Sequence, residues 1–169
     1  ISQWGYDFRP SYLKIASVRE LFPKVPVLAL TATATREVVD DIKEKLAFRG
    51  SNVLRKSFRR TNLYYIVRQC ENKMQRLSYI LNHSSGSAIV YVRSRRKAKQ
   101  IADELKAEGF SADYYHAGLA TEDKQDRQDR WTDGRTRIIV ATNAFGMGID
   151  KPDVRVVVHV DVPNSIEEY

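Results

Sequence analysis

The chain has 169 residues, 43% apolar and 29% charged. That balance excludes wholesale disorder, and the length allows about one domain, or one plus part of another. A single cysteine, Cys70, and three histidines without metal-ligand spacing exclude a disulfide framework and a structural zinc site. A reducing compartment fits the cysteine usage, and no apolar run nears the roughly 18 residues of a membrane span.

The net charge of +7 is uneven, with 14 basic and 7 acidic residues in 1–75 and 14 of each in 76–169. Arg49, Arg55, Lys56, Arg59 and Arg60 form a stretch with no acid between its ends. Either a polyanionic partner or a solvated surface accounts for it. The ends suggest an excerpt. There is no initiator methionine or signal pattern, and Ser165 with Glu168 matches an S-x-x-E capping box one residue before Tyr169.

In chain order, residues 10–22 read as a helix begun by Pro10, with Leu13, Ile15, Val18, Leu21 and Phe22 apolar, ended by Pro23 and Pro26. Val27 to Leu30 reads as a short buried strand. Thr35 can cap a helix carrying Val38, Val39, Ile42 and Leu46 on one face, and Gly50 is the expected terminator. Two β-prone runs come after it, around 53–58 and 63–67, as a connector. A regular alternation comes next: helix 73–83, strand 88–92, helix 94–109 with Ala98, Ile101, Ala102 and Leu105 inward, and strand 112–115. A helix capped by Thr121 and ended by Gly134, strand 137–142 and strand 154–160 complete it. Such alternation implies βαβ units and a mostly parallel sheet.

In these sheets ligands bind beyond the carboxyl ends of the strands. That rim collects Arg93-Ser94, His116-Ala117-Gly118, Thr142-Asn143 with Gly146 and Gly148, and Asp161. Arg93, Arg95, Arg96, Lys97 and Lys99 crowd a helix start, where the dipole opposes positive charge. A bound phosphate would offset this, while Asp103 and Glu104 allow the alternative of a charged outer face. In 142–151 two glycines permit close backbone approach, and Thr142, Asp150 and Lys151 supply a hydroxyl, a carboxylate and an ammonium. Trp4, Tyr6 and Phe8 beside Arg9 suit stacking and cation–π contact with single-stranded nucleic acid, or a buried strand face. His116 reads as a hydrogen-bonded strand end.

Residues 1–10, ISQWGYDFRP, closely resemble the aromatic-rich loop of RecQ-type DNA helicases. LTATAT at 30–35 resembles helicase motif III, and FRRTNLYY at 58–65 is similar to the link between the two RecA-like domains. Residues 89–98 resemble motif IV, YHAGL at 115–119 the motif after it, and 141–155 motif V. The likeness spans the chain in the family's motif order. It implies an α/β fold of RecA-like parallel sheets with helices on both faces. Residues 1–57 would end the first motor domain, 58–68 would be the linker, and 69–169 would form most of the second domain, stopping before an arginine motif.

The implied activity is ATP-driven, 3′ to 5′ translocation on single-stranded DNA with unwinding of duplexes, in repair and recombination. The partners implied are single-stranded and branched DNA, with no membrane, for a monomeric motor in the cytoplasm at the nucleoid or in a nucleus. Trp4, Phe8 and Arg9 would sense DNA, and Thr31 and Thr33 would couple hydrolysis to domain movement. Arg93, Ser94 and Thr142 would touch the DNA backbone. Gly146, Gly148, Asp150 and Lys151 would lie at the nucleotide cleft. Two departures are Tyr6 in place of a frequent histidine and Thr61 in place of a proline before Asn62.

The 169 residues contain no G-x-x-x-x-G-K-S/T loop and no DEAH box. The resemblance therefore implies ATP and Mg²⁺ for the intact enzyme, none tightly bound by this excerpt, no metal site, and no catalytic residue within it. Two other readings are a non-catalytic nucleic-acid-binding module that retains the second domain and a small-nucleotide-binding regulatory domain.

Overall fold

A computed structural model of the chain describes residues 14–31, 34–48, 50, 52–57, 59–146 and 148–163. The chain divides into two compact units, 1–64 and 65–169. The division falls inside the stretch expected to be a linker.

In the first unit, α1 spans Ile15–Leu21 and α2 spans Arg36–Lys45. Thr35 caps α2 as expected, its hydroxyl accepting from the Val38 N–H at 3.4 Å. Gly50 does not end this helix. The chain turns at Ala47, at φ 49°, and the N–H groups of Ala47 and Phe48 donate back to Glu44 and Lys43. The Arg19 guanidinium donates to the carbonyls of Leu46 and Ala47 at 2.7 and 2.8 Å, which satisfies oxygens that the helix end leaves over.

α4, Arg95–Ala107, closes with the same pair of bonds, from Gly109 to Lys106 and from Phe110 to Leu105. There the left-handed position belongs to Gly109, at φ 90°, which adopts it without steric cost. Ala47→Gly is therefore expected to stabilise the first unit by about 0.5–1 kcal/mol, net of glycine's greater unfolded-state entropy. Slower amide exchange at the end of α2 would show it, and unchanged exchange would contradict it.

The strand expected at 27–30 is not formed among the described residues, and the β-prone runs around 53–58 and 63–67, read as a connector, form none among them either. Leu28, Leu30, Leu54 and Val67 are exposed instead, Leu54 and Val67 at 98%. Apolar, β-branched sequence favours an extended chain, but a strand exists only where a neighbour takes its N–H and C=O groups.

The second unit is a four-stranded parallel sheet in the order β2-β3-β1-β4. β1 spans Ser87–Tyr91, β2 Ala112–Tyr115, β3 Ile138–Ala141 and β4 Val154–His159. The central strand β1 pairs Ala88–Tyr91 with Ile138–Ala141 on one side and with Val156–His159 on the other. On one face α3, Lys73–Asn82, and α4 pack Leu77, Leu81, Ala98, Ile101, Ala102 and Leu105 against Ala88, Val90, Ile138 and Val140. On the opposite face α5, Thr121–Thr132, contributes one buried residue, Trp131, to a cluster with Ile89, Ile139, Ala141 and Phe145. Helices on both faces explain the near-continuous apolar strands. The expected cap is one residue early in the helix: Ala120 occupies the cap position and Thr121 is the first helical residue.

Candidate nucleic-acid interface

The parallel ladder runs just past the strands and so aligns the residues next after them. Val92 donates to Ala141, Val160 to Tyr91 and Thr142 to Tyr115 at 2.9–3.2 Å. Arg93-Ser94, His116, Thr142 and Asp161 consequently share the carboxyl edge of the sheet. Ser94 caps α4, its Oγ accepting from the Lys97 N–H at 3.1 Å, which leaves its own O–H free to donate. Asp161 organises this edge, a role the sequence did not disclose. Its carboxylate accepts from the Arg93 N–H at 3.1 Å and from Lys97 Nζ at 2.5 Å, and the Arg93 guanidinium donates to the Val162 carbonyl. Burial opposes charge on Asp161, but these hydrogen bonds and the nearby charges of Lys97 and Lys73 outweigh it and hold the carboxyl below its usual range.

Thr142 is buried at 8% exposed and opens the glycine loop, its carbonyl accepting from the Phe145 N–H at 3.1 Å. Phe145 sits edge-on to Trp131 and Tyr115, and the Tyr91 hydroxyl donates to its carbonyl at 2.9 Å. The loop is thus clamped from beneath. Gly146 is required twice over: its φ is 132°, and a Cβ there would lie 2.9 Å from the Tyr91 hydroxyl. Gly146, Gly148 and Asp150 are exposed, as a surface for an incoming ligand must be.

Lys151 is not brought to this edge. Its ammonium donates to the Thr132 carbonyl at 2.9 Å, pairs with Asp153 at 2.8 Å and is 7% exposed, with the Trp131 ring 5.5 Å away. α5 runs antiparallel to the strands, so its end lies at their amino edge. Asp153 belongs there too, accepting from both the N–H and the hydroxyl of Ser87 at the start of β1. Lys151 therefore ties the glycine loop's far end to the floor of the sheet. Of the other expected residues, Thr31 is exposed in the first unit. Trp4, Phe8, Arg9 and Thr33 lie outside the described residues.

Two histidines stand near the carboxyl edge. Burial, then the charge of Arg95 and further that of Arg127, pushes the His116 pKa below 6.5, and burial lowers that of His159, which stacks on Tyr91 at 5.0 Å. A depressed folded-state pKa means that the unfolded chain binds the proton first. Stability is expected to be full above the unfolded value near 6.5 and to fall as the pH drops below it. Melting temperatures from pH 7.5 to 5 would show the decline, and His116→Gln would flatten it; a wild-type profile level across that window would refute the assignment.

Among the described residues no group of three His, Cys, Asp or Glu could hold a metal, and no helix is long and apolar enough to cross a membrane. The whole chain is 42% identical over 170 residues to the ATP-dependent DNA helicase RecQ of Pasteurella multocida and 43% identical over 171 residues to that of Bacillus subtilis, spanning 27% and 29% of their lengths. In structure it is similar to a variant of Saccharomyces cerevisiae Dbp5 solved bound to Gle1 and IP6. That likeness has a TM-score of 0.76 and 25% identity, covering 96% of this chain and 42% of the other. The model of the helicase conserved C-terminal domain matches residues 72–169, which takes in the whole parallel sheet and its basic carboxyl edge. The chain belongs to the helicase conserved C-terminal domain family.

Proposed function

We propose that the chain is part of an ATP-dependent DNA helicase of the RecQ type, which moves 3′ to 5′ on single-stranded DNA and unwinds duplex and branched substrates. The observation that carries this is the carboxyl edge of the sheet. There Arg93, the capping serine Ser94 and the buried Thr142 stand beside a clamped glycine loop, in a chain with RecQ likeness from end to end. The cations and the start of α4 would hold backbone phosphates, while Gly146, Gly148 and Asp150 would face the nucleotide. Thr31 and Thr33 would pass the state of the nucleotide to the domains. Lys151, committed to the floor, would support the loop and not touch nucleotide.

ATP with Mg²⁺ would supply the free energy of movement. The residues present do not build that site: the 169 residues hold no phosphate-cradling P-loop and no DEAH carboxylates. This stretch alone is therefore expected neither to hold ATP tightly nor to hydrolyse it. The intact protein, a monomeric motor acting where DNA is, is expected to separate a duplex with a 3′ single-stranded tail in the presence of ATP and to spare one with a 5′ tail. Binding of DNA by the intact protein without ATP turnover would overturn this reading in favour of a non-catalytic binding module. Turnover by the 169-residue piece would refute its predicted inactivity.

A further inference from the structure

Ion pairing in the second unit is selective. Lys97 pairs with Asp161, Lys106, Arg127 and Arg130 with Asp113, and Lys151 with Asp153. Arg95, Arg96 and Lys99 have no such partner among the described residues. They line a cavity of about 390 Å³ between the outer side of α4 and the end of β2, with Tyr114, His116 and Leu119 as its apolar and aromatic wall. Its one acid, Asp103, stands 4.0 Å from Lys106. Gly118 admits the guanidinium of Arg95 against the loop, since a Cβ there would lie 2.7 Å from Nη1.

The cavity thus concentrates positive charge that no described side chain neutralises. Its cations succeed one another along a single exposed helix face, and Arg96 also borders the neighbouring groove that contains Ser94. That continuity fits a row of phosphates better than an enclosed small molecule, and the volume is enough for a nucleotide's phosphate and sugar. We infer that the cavity holds a second backbone phosphodiester of the single strand that passes Ser94, with Arg95, Arg96 and Lys99 as its ligands. The inference rests on the helicase reading above.

The test uses the 169-residue chain and a fluorescent oligothymidylate, titrated over a range of salt. Arg96→Gln with Lys99→Gln removes two of the three cations on this one phosphodiester and is expected to reduce the salt slope by about 0.7, the contribution of one single-strand phosphate. Arg135→Gln with Arg155→Gln removes the same charge at the amino edge and is expected to leave the slope unchanged. In the wild type, oligothymidylate is expected to raise the His116 pKa measured by NMR, while inorganic pyrophosphate at equal concentration does not.

Equal slopes for the two double variants, a pyrophosphate effect matching that of the oligonucleotide, or no binding by the chain would each overturn the second site. The helicase reading is judged separately, by unwinding with the intact protein. It survives any of those results.

Discussion

Trp131→Ala is expected to cost the second unit about 3–5 kcal/mol, the range for removing a fully buried large aromatic. The indole is completely buried and is the only buried residue that α5 supplies. Its N–H donates to the Ala88 carbonyl at 3.3 Å, its ring meets Phe145 edge-on at 5.3 Å, and the Lys151 ammonium lies near its face. Truncation would open a cavity, remove a side-chain hydrogen bond to the central strand and remove the support under the glycine loop. Urea denaturation monitored by circular dichroism would register the loss, and Trp131→Phe should recover part of it by refilling the volume. An unshifted midpoint for the alanine variant would show that α5 is held by something else.

Asp113→Ala comes second, at about 2–3 kcal/mol. This carboxylate is 6% exposed and faces Arg127, Arg130 and Lys106, so it joins α4 and α5 across the edge strand β2. Removing it strands the partly buried Arg127 guanidinium and leaves Arg130, whose buried Nε already lacks a partner, with Asp126 alone. The cost lies at the low side of that for breaking a buried pair because Arg130 and Lys106 are 35% and 45% exposed and keep some hydration. In a double-mutant cycle, Asp113→Ala and Arg127→Ala should together cost clearly less than the sum of the two. Strict additivity would mean that the contact carries no coupling.

The second unit was legible because its signals are local. The stripe Ala98, Ile101, Ala102 and Leu105 identifies the inner side of α4 whatever that helix packs on, and buried runs such as Ile138–Ala141 announce strands enclosed on both faces. Pairing is not local, which is why 27–30 carries the same kind of apolar run as β3 yet has no partner strand among the described residues. For the same reason the order β2-β3-β1-β4 could not be read from strand patterns, which specify faces and not neighbours. Lys151 shows the same limit of a local reading. Its place beside Asp150 and the glycines suggested a ligand, whereas its contacts are fixed by where α5, 19 residues earlier, comes to an end. Asp113 gave no warning either, since an acid in a short strand becomes a hub only when two helices bring cations to it.

The position of β1 between β3 and β4 also governs how this unit can come into being on a ribosome. Tyr91 leaves the exit tunnel 47 residues ahead of Ile138, the first residue of its nearest partner strand. At about 5–20 residues per second that is a wait of about 2–10 s. Throughout it the central strand has both edges bare, and α4 can offer its apolar stripe only a sheet that does not yet exist. The nascent chain is then a ribbon of Ala88, Ile89 and Val90 open to self-association, so its yield in a cell should depend on chaperone supply and on the speed with which residues 92–137 are translated.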